Sequence, residues 1–350
     1  MVPMRTILRT AALTAVALMT ATACGGGEGS TAGGEGPAPA DADLTVVTGV
    51  YPLEWLAQEV GGEGVAVLQL TEPGMEPHDL ELTGRQIGEL TEADLAFYVS
   101  GLQPAVDEAV EQEASDRALD VADVVELHPV GEGGHDHGDD DGHGHEDEHG
   151  HDEDGHGHED EDGHAEEEAQ GDGHDHGDFD PHFWLDVDLM ATTAQALGER
   201  LGELNPDAAD EYTANAEAVS ADLEAIGREY EEGLASCERN EVVVGHTAFS
   251  YLTEHYGLEQ VGVSGVDPDS EPSPTQIADI ADFVREHGVT TIFTEPLMPE
   301  ATAQTIAAET GASVEVLDPL EGVTDDSPGD DYPSIMRGNL EALRTALSCS

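Results

Sequence analysis

The stretch NPDAADEYTANAEAVSADLEAIGREYEEGLASC, residues 205–237, decides how the chain is organised. Tyr212, Val219, Leu223, Ile226, Tyr230 and Leu234 recur at spacings of three, four or seven, which places them on one face of a helix. No proline interrupts residues 207–236. The spacing therefore predicts a single helix of about thirty residues, roughly 45 Å at 1.5 Å per residue, the span of a whole domain. Such a helix between two domains acts as a stiff strut and limits hinge motion.

Short β-branched runs alternate with helical spacing on both sides of it. Before it stand LTVVTGV (44–50), VAVLQL (65–70), DLAFYVS (94–100) and ALDVADVVE (118–126), separated by segments such as PLEWLAQEVGG and TGRQIGELTEA. After it come EVVVGH, EQVGVSG, VTTIFTEP and SVEVLDPL, again with helices between, one of them with Ser273 as N-cap and Pro274 at its first position. Strands alternating with helices make parallel sheets. The expected fold is α/β, with two doubly wound parallel-sheet lobes joined by one long linker helix. The expected boundaries are 43–206 for the first lobe, 207–236 for the linker and 237–350 for the second lobe.

The first lobe is interrupted by residues 131–178, which hold eleven histidines and twenty-one acidic residues, with no Lys or Arg. A segment without large apolar side chains buries too little surface to offset its ordering entropy, so the sequence predicts disorder there. Its histidines, His135, His137, His143, His145, His149, His151, His156, His158, His164, His174 and His176, are metal ligands by type. Three readings stand: a weak multivalent metal-ion collector, a sensor of metal abundance, or a solvated spacer.

Across the 350 residues, 78 acidic groups face 10 basic ones, a formal net charge of −68. Nucleic-acid binding needs a basic footprint and is excluded. The acidity reads as a solvated surface suited to a salty medium. Near the start, Arg5 and Arg9 precede the apolar run AALTAVALMT, too short to span a bilayer, and ATAC ends in Cys24. Residues 1–23 look like a bacterial lipoprotein signal with Cys24 as the lipidated residue, a plain secretory signal being the alternative. Residues 24–42 would be a flexible tether. The expected location is the outer face of the cytoplasmic membrane. With Cys24 assigned to lipid, Cys237 and Cys349 remain and are expected to pair, closing a loop worth on the order of 4–5 kcal/mol in the chain-entropy model.

Outside the insert six histidines remain. His78 follows VAVLQL in a Gly/Pro-rich loop, His246 ends EVVVGH, and Asp318 holds the same place in SVEVLDPL. Ligands of open α/β sheets bind beyond the carboxyl ends of strands, so these three would face one crevice. His182, in DFDPHFWLDVD, follows the insert. Three imidazoles and a carboxylate suit zinc in a four-coordinate site. His128, His255 and His287 read as scaffold or helix-terminal residues.

In joint context these segments resemble the zinc and manganese solute-binding proteins of bacterial metal ABC importers. GVYPLEWLAQEVGG resembles that family's opening strand and helix; PGMEPHDLELT, DPHFWLD, GHTAFSYLTEHYGL and LDPLEG resemble its four ligand segments, and residues 264–296 match the stretch between the third and fourth. The resemblance implies metal ligands His78, His182, His246 and Asp318 in a cleft between the lobes. It also implies a monomer that delivers Zn2+ to an ABC permease served by an ATPase. Manganese relatives usually carry Glu at the third ligand, whereas His246 suits zinc over Mn2+. A surface adhesin is an alternative of another class. So is a zinc hydrolase with Glu295 as base, although four protein ligands would close the coordination position that catalysis needs.

Overall fold

The structure, a computed structural model, describes residues 42–130, 179–266, 268 and 272–350. The expectations for the signal, Cys24, the tether and the eleven insert histidines lie outside the described residues.

The first sheet is built from β1 (Leu44–Thr48), β2 (Val65–Gln69), β3 (Leu95–Tyr98) and β4 (Ala118–Asp120), all parallel, in the order β2-β1-β3-β4. Helices α1 (Tyr51–Gly61), α2 (Gly84–Glu92) and α3 (Pro104–Glu113) make its crossovers. Thr83 opens α2 with a reciprocal capping box to Gln86. The strand expected over 118–126 is shorter: the Asp120 carboxylate accepts from the Ala122 N–H and turns the chain into a single 3-10 turn at Val121–Asp123.

Two long helices follow, α4 (Val187–Leu204) and α5 (Ala209–Leu234). The predicted linker helix is thus 26 residues, roughly 39 Å, and it does not run alone. A four-residue turn folds it back along α4, with the two backbones close at Gly198, where a Cβ would stand 2.9 Å from Ala216 Cβ. Tyr212, Val219, Leu223, Ile226, Tyr230 and Leu234 are all buried, as their spacing requires. Truncating the fully buried Leu223 to Ala would cost about 2–5 kcal/mol.

The second sheet repeats the first: β5 (Glu241–Val244), β6 (Glu259–Gly262), β7 (Thr291–Thr294) and β8 (Ser313–Val316), parallel in the order β6-β5-β7-β8. Its helices are α6 (Ser250–His255), α7 (Pro274–His287), α8 (Ala301–Thr310) and α9 (Tyr332–Ala346). Ser273 caps α7 as expected, in a capping box with Gln276. The sulfurs of Cys237 and Cys349 are bonded, tying the end of α5 to the last residues after α9. Among the described residues no helix is long and apolar enough to cross a membrane.

Alternation along the strands divides the apolar residues into three clusters. Val47, Ala96 and Leu70 pack on one face of the first sheet with α2 and α3; Val243 and Ile292 pack on one face of the second with α7 and α8. The opposite faces, through Val46, Phe97, Val242, Val244 and Phe293, share a single core with α1, α4, α5 and α9. Within it Trp55 of the first lobe stacks on Tyr332 of the second at 4.7 Å, and the Tyr230 hydroxyl donates to the Met336 carbonyl at 2.6 Å.

Candidate metal centre

Four side chains converge between the lobes. His78 stands in the loop after β2, His182 on the turn that leads into α4, His246 just beyond β5, and Glu321 in the loop after β8. Their potential ligand atoms lie within 4.8 Å of one another, and all four residues are buried. Glu321 Oε1 is the hub: it lies 3.4 Å from His78 Nε2, 3.0 Å from His182 Nε2 and 3.2 Å from His246 Nε2. A tetrahedral zinc with bonds of about 2.0–2.1 Å has ligand-to-ligand edges of roughly 3.3 Å, so the three edges from Glu321 to the imidazoles already match a zinc shell.

Two of the imidazoles are aimed by a carboxylate behind them. Asp180 Oδ1 stands 2.7 Å from His182 Nδ1 and also accepts the His182 N–H at 3.0 Å; Ser250 Oγ donates to the same carboxylate's other oxygen. Glu295, at the end of β7, does the same for His246, with Oε2 at 2.6 Å from Nδ1 and Oε1 accepting the His246 N–H at 3.0 Å. A carboxylate on Nδ1 fixes the tautomer that leaves Nε2 for the metal and raises its basicity. The His78 loop is held differently. Gln103 Nε2 donates to the carbonyls of Gly49 and Pro77 at 3.2 and 3.0 Å and lies 2.8 Å from Thr71 Oγ1, and a side chain at Gly49 would collide with it.

Without a metal these groups set one another's charge. Burial alone would lower the His182 imidazolium, but Asp180 and Glu321 outweigh it and push the group up to about 9. Burial likewise opposes the His246 imidazolium, and Glu295 with Glu321 raises it well above its ordinary value. Burial would raise Glu321, yet the surrounding imidazoles hold it well below the usual carboxylate range. His78 is lowered by burial, and Glu76, whose Oε1 accepts the His78 N–H, is pushed up to about 8 by burial and by Glu321.

The structure brings His78, His182 and His246 together with Glu321 and leaves Asp318 outside that group. Asp318 is buried beside the site and tied to the chain by one carboxylate oxygen and its backbone: Oδ1 accepts the Leu320 N–H at 2.8 Å, its own N–H donates to Asn339 Oδ1 at 2.9 Å, and its carbonyl accepts from Asn339 Nδ2 at 2.7 Å. Burial pushes its carboxyl up to about 6. Leu320 takes a left-handed backbone conformation, φ 62°, and this turn delivers Glu321 to the cleft instead. Sequence reasoning also passed over Asp180, Gln103 and Glu76, and it weighed Glu295 only as a catalytic base. The spacing DPH, with an acid two residues before a ligand imidazole, is the one signal that pointed to Asp180.

The remaining histidines lie outside this cluster. His255 ends α6 with Nδ1 2.8 Å from Asp186 Oδ2, and His287 ends α7, stacked on Phe283 at 4.0 Å. The ring of His128 stacks on Tyr251 at 4.1 Å.

Comparison with known proteins agrees with this geometry. The zinc-binding lipoprotein AdcA of Streptococcus pneumoniae is 31% identical over 310 residues, 86% of this chain and 55% of that protein, so the chain spans about half the length of that relative. The high-affinity zinc uptake system protein ZnuA of Bacillus subtilis is 30% identical over 309 residues, covering 87% of this chain and 88% of that one. Among solved structures, the laminin-binding protein of Streptococcus agalactiae, described as bifunctional with adhesin and metal-transporting activity, superposes with a TM-score of 0.69 at 28% identity, over 87% of this chain and 99% of that one. Zn(II)-bound AdcA of S. pneumoniae gives 0.67 at 26% identity, over 87% of this chain and 58% of that one. The model of the zinc-uptake complex component A family, ZnuA, matches residues 46–346, and the chain belongs to that family.

Proposed function

We propose that this protein captures Zn2+ outside the cytoplasm with His78, His182, His246 and Glu321 and hands it to the permease of an ABC importer. The observation that carries the reading is the buried set of three imidazole nitrogens within 3.0–3.4 Å of one carboxylate oxygen. Zinc is the cargo. It binds neutral imidazoles and an ionised carboxylate, so capture displaces protons from the imidazoles and leaves Glu321 to neutralise half of its charge. Three nitrogen donors favour zinc over manganese, which prefers oxygen. The family is a transport component, and four protein donors leave no open position for a hydrolytic water, so the chain is no enzyme. Under the same reading Cys24 carries the lipid anchor. Residues 131–178 act as a tethered collector that raises the local zinc concentration beside the tight site.

Zinc titration of Glu321→Gln and Asp318→Asn tests the ligand set. Loss of a charged ligand in Glu321→Gln should weaken the tight site by more than about a hundredfold, while Asp318→Asn keeps all four donors and should stay within about tenfold. The reverse order would restore Asp318 as the ligand. A laminin-binding role is a second reading, favoured by the superposition on the streptococcal adhesin.

A further inference from the structure

A second cavity lies next to the metal centre, at the place where the chain leaves and re-enters the first lobe around the insert. Pro129 and Phe179 pair across that neck, and the Asp180 N–H donates to the His128 carbonyl at 2.7 Å. The cavity holds about 220 Å³ and is lined by His128, Asp180, Thr247, Ser250, Glu254 and Gln260, among others. His128 is fixed there by its stack on Tyr251 and by its N–H, which donates to the Tyr251 hydroxyl at 2.8 Å. Its Nδ1 is buried with no hydrogen-bond partner among the described residues, and Glu254 Oε2 stands 3.6 Å from it. That distance is too long for a hydrogen bond and close to the ligand-to-ligand edge of a coordinated divalent ion, roughly 3.3 Å for zinc.

We propose that this neck cavity is a second, weaker zinc site, in which His128 Nδ1 and a Glu254 carboxylate oxygen hold a partly hydrated ion. Its size fits: six waters at about 30 Å³ each need roughly 180 Å³, so a hydrated ion enters before any water is shed. Its chemistry fits as well: one imidazole and one carboxylate give two protein ligands, the remaining positions staying with water, which makes a fast and shallow site. The Asp180 carboxylate forms part of the same wall and adds negative charge, while its other oxygen stays on His182. The identity of the cation rests on the zinc reading above; the site itself rests on the cavity and its two donors.

The test is a zinc titration of the full mature chain carrying 15N-labelled histidine, followed by the imidazole 15N shifts, with His128 assigned from His128→Gln. The first equivalent should move His182 and His246 and leave His128 alone; further zinc should then shift His128 at Nδ1. Glu254→Gln, a half-exposed change that leaves the tight site intact, should weaken the His128 response at least about tenfold. A His128 Nδ1 signal that stays unmoved at excess zinc, or one that responds equally in Glu254→Gln, overturns the proposal. A first equivalent that leaves His182 and His246 unmoved would overturn the primary reading instead.

Discussion

The charge state of the empty site makes zinc affinity steeply dependent on pH in a window where ordinary histidines would already be neutral. His182 is pushed up to about 9 and His246 is raised well above its ordinary value, whereas His78 is lowered and Glu321 is held ionised. Near neutral pH the empty site therefore carries two protons on the Nε2 atoms that zinc must occupy, and both must leave. Each displaced proton changes the binding free energy by about 1.4 kcal/mol per pH unit, so two protons across two units give roughly 5.5 kcal/mol, or about 10⁴ in affinity from pH 6 to pH 8. Competition against a chromophoric chelator, corrected for the chelator's own protonation, reads this slope directly. Histidines near 6.5 would give a plateau above pH 7; the buried geometry predicts a continued rise to about 9. A change below about threefold between pH 7.5 and 8.5 would refute the argument. The metal-free protein should show the opposite trend. The folded value of His182 lies above its unfolded value near 6.5, so its stabilising contribution is complete below about 6.5 and fades as pH rises through about 9. Glu76, held protonated up to about 8, acts in the same direction. Metal-free protein should melt at a lower temperature at pH 9 than at pH 6.5.

Replacing Glu295 by Gln removes the charge behind His246 while keeping an acceptor for its ring N–H; zinc affinity should fall about 10–100-fold by competition titration, with the fold intact by circular dichroism. Gln103→Ala orphans the carbonyls that hold the His78 loop, which should cost about 1–3 kcal/mol in denaturant unfolding and weaken zinc binding without removing any ligand. Breaking the Cys237–Cys349 bond, which spans 112 residues, by a double Ser substitution should lower stability by on the order of 4–5 kcal/mol and leave zinc stoichiometry unchanged.

Periodicity carried most of the fold. Six buried residues of α5 announced it, and β-branched runs between Gly and acidic turns marked each strand among the described residues, with 118–126 overrunning β4 by six positions. What periodicity could not convey is that α5 lies along α4: that helix follows the insert directly, and its small residues, Ala191, Ala194 and Gly198, form a stripe too weakly apolar to stand out. The site divides in the same way. Three imidazoles at strand ends or beside the insert were legible because few histidines lie outside the low-complexity segment. The strand-end rule points to Asp318, whereas the left-handed turn at Leu320, which no residue type announces, delivers Glu321, three residues on, to the imidazoles. Asp180, Glu295 and Gln103 act across 2, 49 and 26–54 residues, and pairings over the longer of those separations have no signature in one sequence.

The apolar core common to both sheets has a consequence for how the molecule can be divided. Severing the chain in the turn between α4 and α5 would leave one fragment with Trp55, Trp184 and Leu197 uncovered and the other with Leu223, Tyr230 and Tyr332 uncovered. Each piece keeps the smaller cluster on the far face of its own sheet but exposes the larger face that met the common core, so each should be poorly soluble alone, and the two should regain full structure only when mixed. The lobes are two in topology and one in cooperativity. Heat or denaturant should meet a single transition, and the freedom to let zinc in and out must reside in the loop bearing His78, which lies outside the common core, whereas Leu320 and the Trp184 bond to the Pro319 carbonyl hold the Glu321 turn against it.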